Sequence, residues 1–184
     1  DNSHKALQYA ILVAKATQSA IYLVHTYLPR YVEPGIYADA DTMQKALDDQ
    51  RDSLYSKMVP LASKVEEANI KCHVVLEMND VISGVFDTVE KYNIDLIVMG
   101  RKDSLIGNGV LADGVAKKAP CSILLVQEKR PIKFPKKILI PTDFSSHNHM
   151  IYEFAELISD QLDAELVPMH LYEVPHGYSK TGKS

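Results

Sequence analysis

Cysteine is scarce: Cys72 and Cys121 are the only two in 184 residues, each inside or beside an apolar strand pattern. Two thiols cannot build the disulfide framework of a small secreted scaffold. They read as buried, reduced thiols, which fits the cytoplasm. Long apolar runs are also absent. No stretch approaches the roughly 20 residues a membrane-spanning helix needs, and no secretory signal opens the chain. Positive charge is not in excess either. Lys and Arg number 20 against 24 Asp and Glu, a formal net charge of −4, so no general attraction to nucleic acid or to an acidic membrane is expected. No Cys–His or Ser–His–acid set can be paired by local spacing, so covalent catalysis has no support and no catalytic residue is assigned.

What is present is ordinary for a globular protein: 46% hydrophobic and 24% charged residues. The length suits one large domain or one and a half small ones. The most informative stretch is 94–127. Two short runs, Leu96–Met99 and Ile123–Val126, are apolar on both faces, as strands of a helix-covered parallel sheet are. Between them a loop starts at Gly100, and Gly109 opens a helix to Lys118. Strand, glycine loop and helix N-terminus can hold an anion on free backbone N–H groups. A plain strand-to-helix turn has the same pattern, and both readings stay open.

The remaining elements alternate. A helix starts at Asn2 or Ser3 and buries Ala6, Leu7, Ala10, Ile11 and Ala14; Ala20–Thr26 is a strand. A loop with Pro29, Pro34 and Gly35 leads to a helical pattern from about Asp41 to Ala68, which Pro60 should kink or interrupt. Strand Lys71–Glu77, a helix from Asn79 or Asp80 to Tyr92, and strand Asp95–Met99 follow. Residues 128–136 read as a linker, then come strand Lys137–Ile140, a turn at Thr142–Ser145, helix Ser146–Leu162 and strand Ala164–Leu171. Strands alternating with helices predict a parallel sheet with right-handed crossovers.

The sequence repeats. An offset of 145 residues sets Ala10 on Ala155, Leu12 on Leu157, Leu23 on Pro168 and His25 on His170. Two copies of one domain are expected: 1–127 first, without its opening strand, and 137–184 as a partial second. The chain begins at Asp1 without a methionine, already in a helix start, which suggests a missing segment upstream.

The strand ending in Val24–His25, Leu96–Gly100 and Ala119–Val126, with Ile138–Asp143 opening the second copy, resemble the universal stress protein family in tandem. The resemblance covers residues 1–127 and, in part, 137–175. It implies an open, Rossmann-like, five-stranded parallel sheet of order 3-2-1-4-5 flanked by helices, and dimers formed through the last strand, here 123–127. That pairing would join two chains or two domains of one chain. It also implies ATP or another adenine nucleotide in some members. In such a sheet ligands sit where strand order reverses, between strands 1 and 4. The strand-4 side here ends at Met99 and Gly100, and the strand-1 side at Pro141–Asp143.

The resemblance further implies a glycine pattern after strand 4. Gly100 matches its first glycine and Asp103 stands at the second, where a carboxylate would face phosphate. Gly109-Val110, followed by Leu111, takes the place of the closing Gly-Ser or Gly-Thr, so a degenerate pocket is expected. Thr26 stands where the family has an apolar residue against adenine, and Leu171 is its counterpart in the second copy. Asp143 would bond the nucleobase; an Asx-turn or helix cap is the alternative.

Two features are read as decoys. GYSKTGKS at 177–184 matches the phosphate-loop pattern, but no helix follows it, so Lys183 is expected to lie in a flexible loop. Of seven histidines, His147 and His149 stand near Asp143 in a helix start, where solvated imidazoles are common, and no metal is assigned. A non-enzymatic binding and dimerisation module is the first reading. An ATP-binding sensor or slow ATP hydrolase is the second, and a regulatory domain of a transporter the third.

Overall fold

The structure, a computed structural model, describes residues 2–29, 40–101, 109–127, 135–145 and 148–172. The chain divides into two compact units, residues 1–132 and 133–184. In the first, helix α1 (Asn2–Thr17) is followed by β1 (Ile21–Thr26), α2 (Ala40–Glu66), β2 (Cys72–Glu77), α3 (Val81–Tyr92), β3 (Leu96–Arg101), α4 (Gly109–Lys118) and β4 (Ser122–Gln127). The second holds β5 (Lys137–Pro141), α5 (Asn148–Leu162) and β6 (Glu165–Met169).

All strand pairs are parallel, as the alternation with helices requires. Ile21–Thr26 faces Cys72–Glu77, Leu96–Arg101 faces Ser122–Gln127, and Lys137–Pro141 faces Glu165–Met169. The expected five-strand order is not formed among the described residues; there are three two-stranded sheets instead. The order 3-2-1-4-5 needs a strand between those that β1 and β3 represent. No described strand precedes α1, so β1 and β3 are left unpaired to each other.

The first unit's core lies where α1 and α2 meet β1: Leu7, Ala14, Ile21, Val65 and Ile70 are buried together, with Leu23, Leu61 and Cys72 packed on them. Side chains alternate across a strand, so Ile21 and Leu23 enter this core while Tyr22 goes to the opposite face. There the Tyr22 ring lies 4.7 Å from His73 and 4.9 Å from Tyr92 of α3. Helix α1 touches β1, β3 and β4, so one helix spans both ladders. Its buried face contains the expected Ala6, Leu7 and Ala14.

The ends of α3 show the local rules at work. Asp80 is its N-cap, accepting from the amides of Ile82 at 3.0 Å and Ser83 at 3.1 Å. Asn93 closes it in the left-handed region at φ 50°, which an asparagine tolerates. Helix α2 follows the expected range, and Pro60 does not interrupt it, since it continues through the proline to Glu66. Val65 lies one turn beyond the proline and is wholly buried, so tertiary packing holds the last turn in place despite the lost amide.

Positions 145 apart share local geometry. Gln18 and Asp163, just after α1 and α5, both take positive φ, 54° and 51°. The amides of Ser19 and Ala164 donate back to Ala14 and Ser159, each at 3.1 Å. Both cysteines are free and half-buried, and burial pushes each thiol up from its ordinary value. No described helix is long and apolar enough to cross a membrane.

Candidate functional site

On the first unit, Thr26 ends β1, and Met99 and Gly100 lie near the carboxyl end of β3. The strand β3 does not stop before Gly100; it carries on through Gly100 and Arg101, which pair in register with Val126 and Gln127. This corrects the expected loop start, and the cause is visible in the ladder, because β4 extends far enough to partner both residues. Met99 is half-buried within the strand, opposite Leu125. Gly109 and Val110 open α4, and Leu111 on its first turn is 38% exposed. Asp103 and the rest of 102–108 lie outside the described residues.

Arg101 is a residue that the sequence reading missed. Its Nε stands 3.3 Å from Asp113 Oδ1 of α4, although its N–H is not directed at the oxygen. The contact is therefore a charge pairing and not a hydrogen bond, and it ties the end of β3 to the helix. The signal in sequence was a pair of cations, Arg101 and Lys102, closing an apolar run. Thr26 is turned toward α3, where a Cβ added to Gly84 would stand only 2.7 Å from its Cγ2.

On the second unit a polar cluster surrounds the end of β5. Pro141 closes the strand, and the Thr142 amide continues the ladder by donating to Met169 O at 2.8 Å. The Thr142 carbonyl accepts from His170 Nδ1 at 2.7 Å, which places the hydrogen on that nitrogen. Asn148 Nδ2 donates at 2.8 Å to both Thr142 Oγ1 and Asp143 Oδ1. Asp143 Oδ1 also accepts from the Ser145 amide at 2.9 Å, the Asx-turn that the sequence left as an alternative. The amide of Ser145, then its hydroxyl and the Asn148 side chain, hold the Asp143 carboxyl below its ordinary value. Phe144, at φ 61°, sets its ring 4.6 Å from His170. Leu171 follows β6 and is 78% exposed.

Asn148 is the second missed residue: its two amide hydrogens brace the turn, a role that only the folded arrangement reveals. An open cleft of about 460 Å³ is lined by Lys136, Ser159, Asp160, Asp163, Ala164 and Glu165. It lies at the amino ends of β5 and β6, away from Asp143, and Lys136 is already paired with Asp163 at 3.4 Å. No described group of three or more His, Cys, Asp or Glu is placed to hold a metal. His147 and Lys183 lie outside the described residues.

Comparison with known proteins gives consistent findings. The model of the universal stress protein family matches residues 1–127. No curated protein matches the chain in sequence. A universal stress protein from Archaeoglobus fulgidus DSM 4304 is similar in structure, with TM-score 0.69 and 20% identity, over 94% of this chain and 64% of that one. The chain thus spans a little under two thirds of that relative. Universal stress protein UspA from Lactobacillus plantarum overlaps with TM-score 0.51 and 19% identity, over 68% of this chain and 92% of that one. At these identities the likeness establishes a Rossmann-like α/β fold. A family member from Arabidopsis thaliana, solved with AMP bound, overlaps at TM-score 0.44 and 17% identity, over 68% of this chain and 78% of that one, too little to bear on a ligand here.

Proposed function

From the premise that the chain belongs to the universal stress protein family, we propose a non-enzymatic binding and dimerisation module with a degenerate nucleotide pocket. The observation that carries this reading is the junction of β3 and α4. The ladder takes up Gly100 and Arg101, and Arg101 is engaged by Asp113. Only residues 102–108 remain to join strand and helix, and they include the Asp103 carboxylate. A short connection offers few free amides, Val110 supplies no hydroxyl, and a carboxylate disfavours a triphosphate beside it.

The chain is best understood as two tandem copies, 1–127 and 137–184, joined by 128–136. Each copy has its own candidates: Met99, Gly100 and Gly109 on the strand-4 side of the first, and Pro141 and Asp143 after strand 1 with Leu171 after strand 2 in the second. Pairing through the outer edge of 123–127 is the assembly mode that fits this plan, and free thiols fit the reducing cytoplasm. Adenine nucleotide is the ligand to test. Thermal unfolding with millimolar ATP and magnesium is expected to show no shift. Stabilisation of about 2.7 kcal/mol, the effect of ligand a hundredfold above its dissociation constant, would overturn the degenerate pocket in favour of a nucleotide sensor.

A further inference from the structure

We propose that the outer edge of β2 is a contact surface for a second copy of the chain, whose own residues 71–77 lie antiparallel on this stretch with Lys71 of each copy opposite Glu77 of the other. Ile21 and Tyr27 donate their amides to Lys71 O and Glu77 O, each at 2.9 Å. The ladder between them runs unbroken from Ile21↔Cys72 to Thr26↔Glu77. In a parallel ladder alternate residues turn both backbone groups to one neighbour, so the odd residues of β2 are spent on β1. Cys72, Val74 and Leu76 therefore aim their N–H and C=O groups outward. Among the described residues β2 pairs with β1 alone.

Sheet edges are ordinarily kept apart by proline, by charge along the edge or by a bulge. Residues 72–76 hold no proline, no Lys, Arg, Asp or Glu, and no bulge. Helices α2 and α3 both touch β2. Cys72 packs on the core beside α2, and on the opposite face His73 stacks on Tyr22. The strand is thus held from both faces while its edge keeps unspent hydrogen-bonding groups.

The occupant is identified by the symmetry of charge about Val74. Lys71 and Glu77 stand three residues to either side of it, and both share a face of the strand with His73 and Val75. Antiparallel pairing that sets Val74 opposite Val74 sets each Lys71 opposite a Glu77, Cys72 opposite Leu76 and His73 opposite Val75. A slip of two residues in either direction loses both ion pairs. Pairs of opposite charge directly across two strands contribute about 0.2–1 kcal/mol each, and a two-fold contact makes each pair twice. Lys71 is exposed, and the contact of Glu77 with Lys91 is long, at 3.9 Å, so neither charge has to leave a tight partner. A stretch complementary to itself in charge and in apolar pattern commits the edge to a second copy. The contact is separate from the 123–127 edge and does not rest on it.

The test follows amide hydrogen exchange of the full chain by NMR across a concentration series. Exchange at Cys72, Val74 and Leu76 is expected to slow by about tenfold or more as concentration rises. Val75 and Glu77, bonded to β1, stay protected throughout and report an intact fold. Lys71→Glu and Glu77→Lys each set like charges across the contact, so each alone is expected to raise the concentration needed for this protection by about tenfold. Mixing the two variants, one of them isotope-labelled, restores opposite charges and is expected to return protection at the unaltered chain's concentration. Should Glu77→Lys fail to fold, Val74→Pro, which removes an outward amide and no β1–β2 bond, must abolish the protection at Cys72 and Leu76. Exchange at these amides that does not slow up to millimolar chain overturns the proposal, as does slowing confined to Ile123, Leu125 and Gln127. Slowing indifferent to the charge variants, or not rescued by mixing them, overturns it too. Protection independent of concentration overturns it in favour of another segment of the same chain.

Discussion

Gly84 sits where α3 approaches β1 and β2, and its missing side chain is what allows the approach. A Cβ there would stand 2.7 Å from Thr26 Cγ2 and 3.3 Å from Glu77 Cβ. Gly84→Ala gains about 1 kcal/mol of helix propensity, but overpacking of this kind costs about 1–3 kcal/mol. Net destabilisation of about 1 kcal/mol is expected in urea unfolding. Thr26→Ser, which deletes the offending methyl, should recover part of it in a double-mutant cycle. Nothing in the sequence pointed to Gly84, because its role depends on a strand some sixty residues away in chain order. Asp80 was legible, since a carboxylate before an apolar helical pattern is a start signal. Its carboxyl is held below the ordinary 3.8 by the Ser83 hydroxyl and then by the amides of Ser83 and Ile82. Asp143 is held down in the same direction by Ser145 and Asn148. For both, the unfolded chain takes up protons first as pH falls below 3.8. Their stabilisation is complete above that pH and is lost as pH drops through the lower folded value. Asp80→Asn keeps the cap and removes the titration, so the acid limb of a stability–pH curve should flatten while the neutral plateau barely moves.

At the scale of elements, periodicity and punctuation located nearly every helix and strand to within a residue or two. The helix Gly109–Lys118 matches expectation end to end, and the strand Ser122–Gln127 extends the Ile123–Val126 run by one residue on each side. The differences arise where tertiary partners outweigh local signals. Glycine after an apolar run marked the end of a strand, yet β3 continues to Arg101 because β4 offers Val126 and Gln127 as partners. Proline marked a break, yet α2 continues because Leu61 and Val65 belong to the core beyond it. Pro60 itself is exposed. It leaves the carbonyl of Ser56 without its usual helical donor. Pro60→Ala is therefore expected to stabilise the protein by about 1–2 kcal/mol, after allowing for the freer unfolded chain. Calorimetry would register this as a higher Tm, and a lower Tm would show that the ring is needed in the packing of the helix.

For the whole molecule, the family and the α/β class were readable from four short motifs in order, while the number of paired strands was not. Strand order is a property of what lies between strands, and sequence patterns describe only the strands themselves. The same limit applies to assembly. Ser122 donates to Asp95 O at 3.2 Å, so the backbone groups of Ser122, Leu124 and Val126 are spent on β3. Those of Ile123, Leu125 and Gln127 point outward, along the edge proposed to join two chains. Gln127 is exposed and closes the strand, so Gln127→Pro blocks the end of that edge without touching the β3 ladder. Sedimentation velocity across a concentration series is expected to show a dimer whose dissociation constant rises about tenfold in this variant, equivalent to roughly 1.4 kcal/mol. A wild-type chain that sediments as a monomer throughout would remove the β4 edge from the assembly. A dimer insensitive to Gln127→Pro would move the interface to another surface.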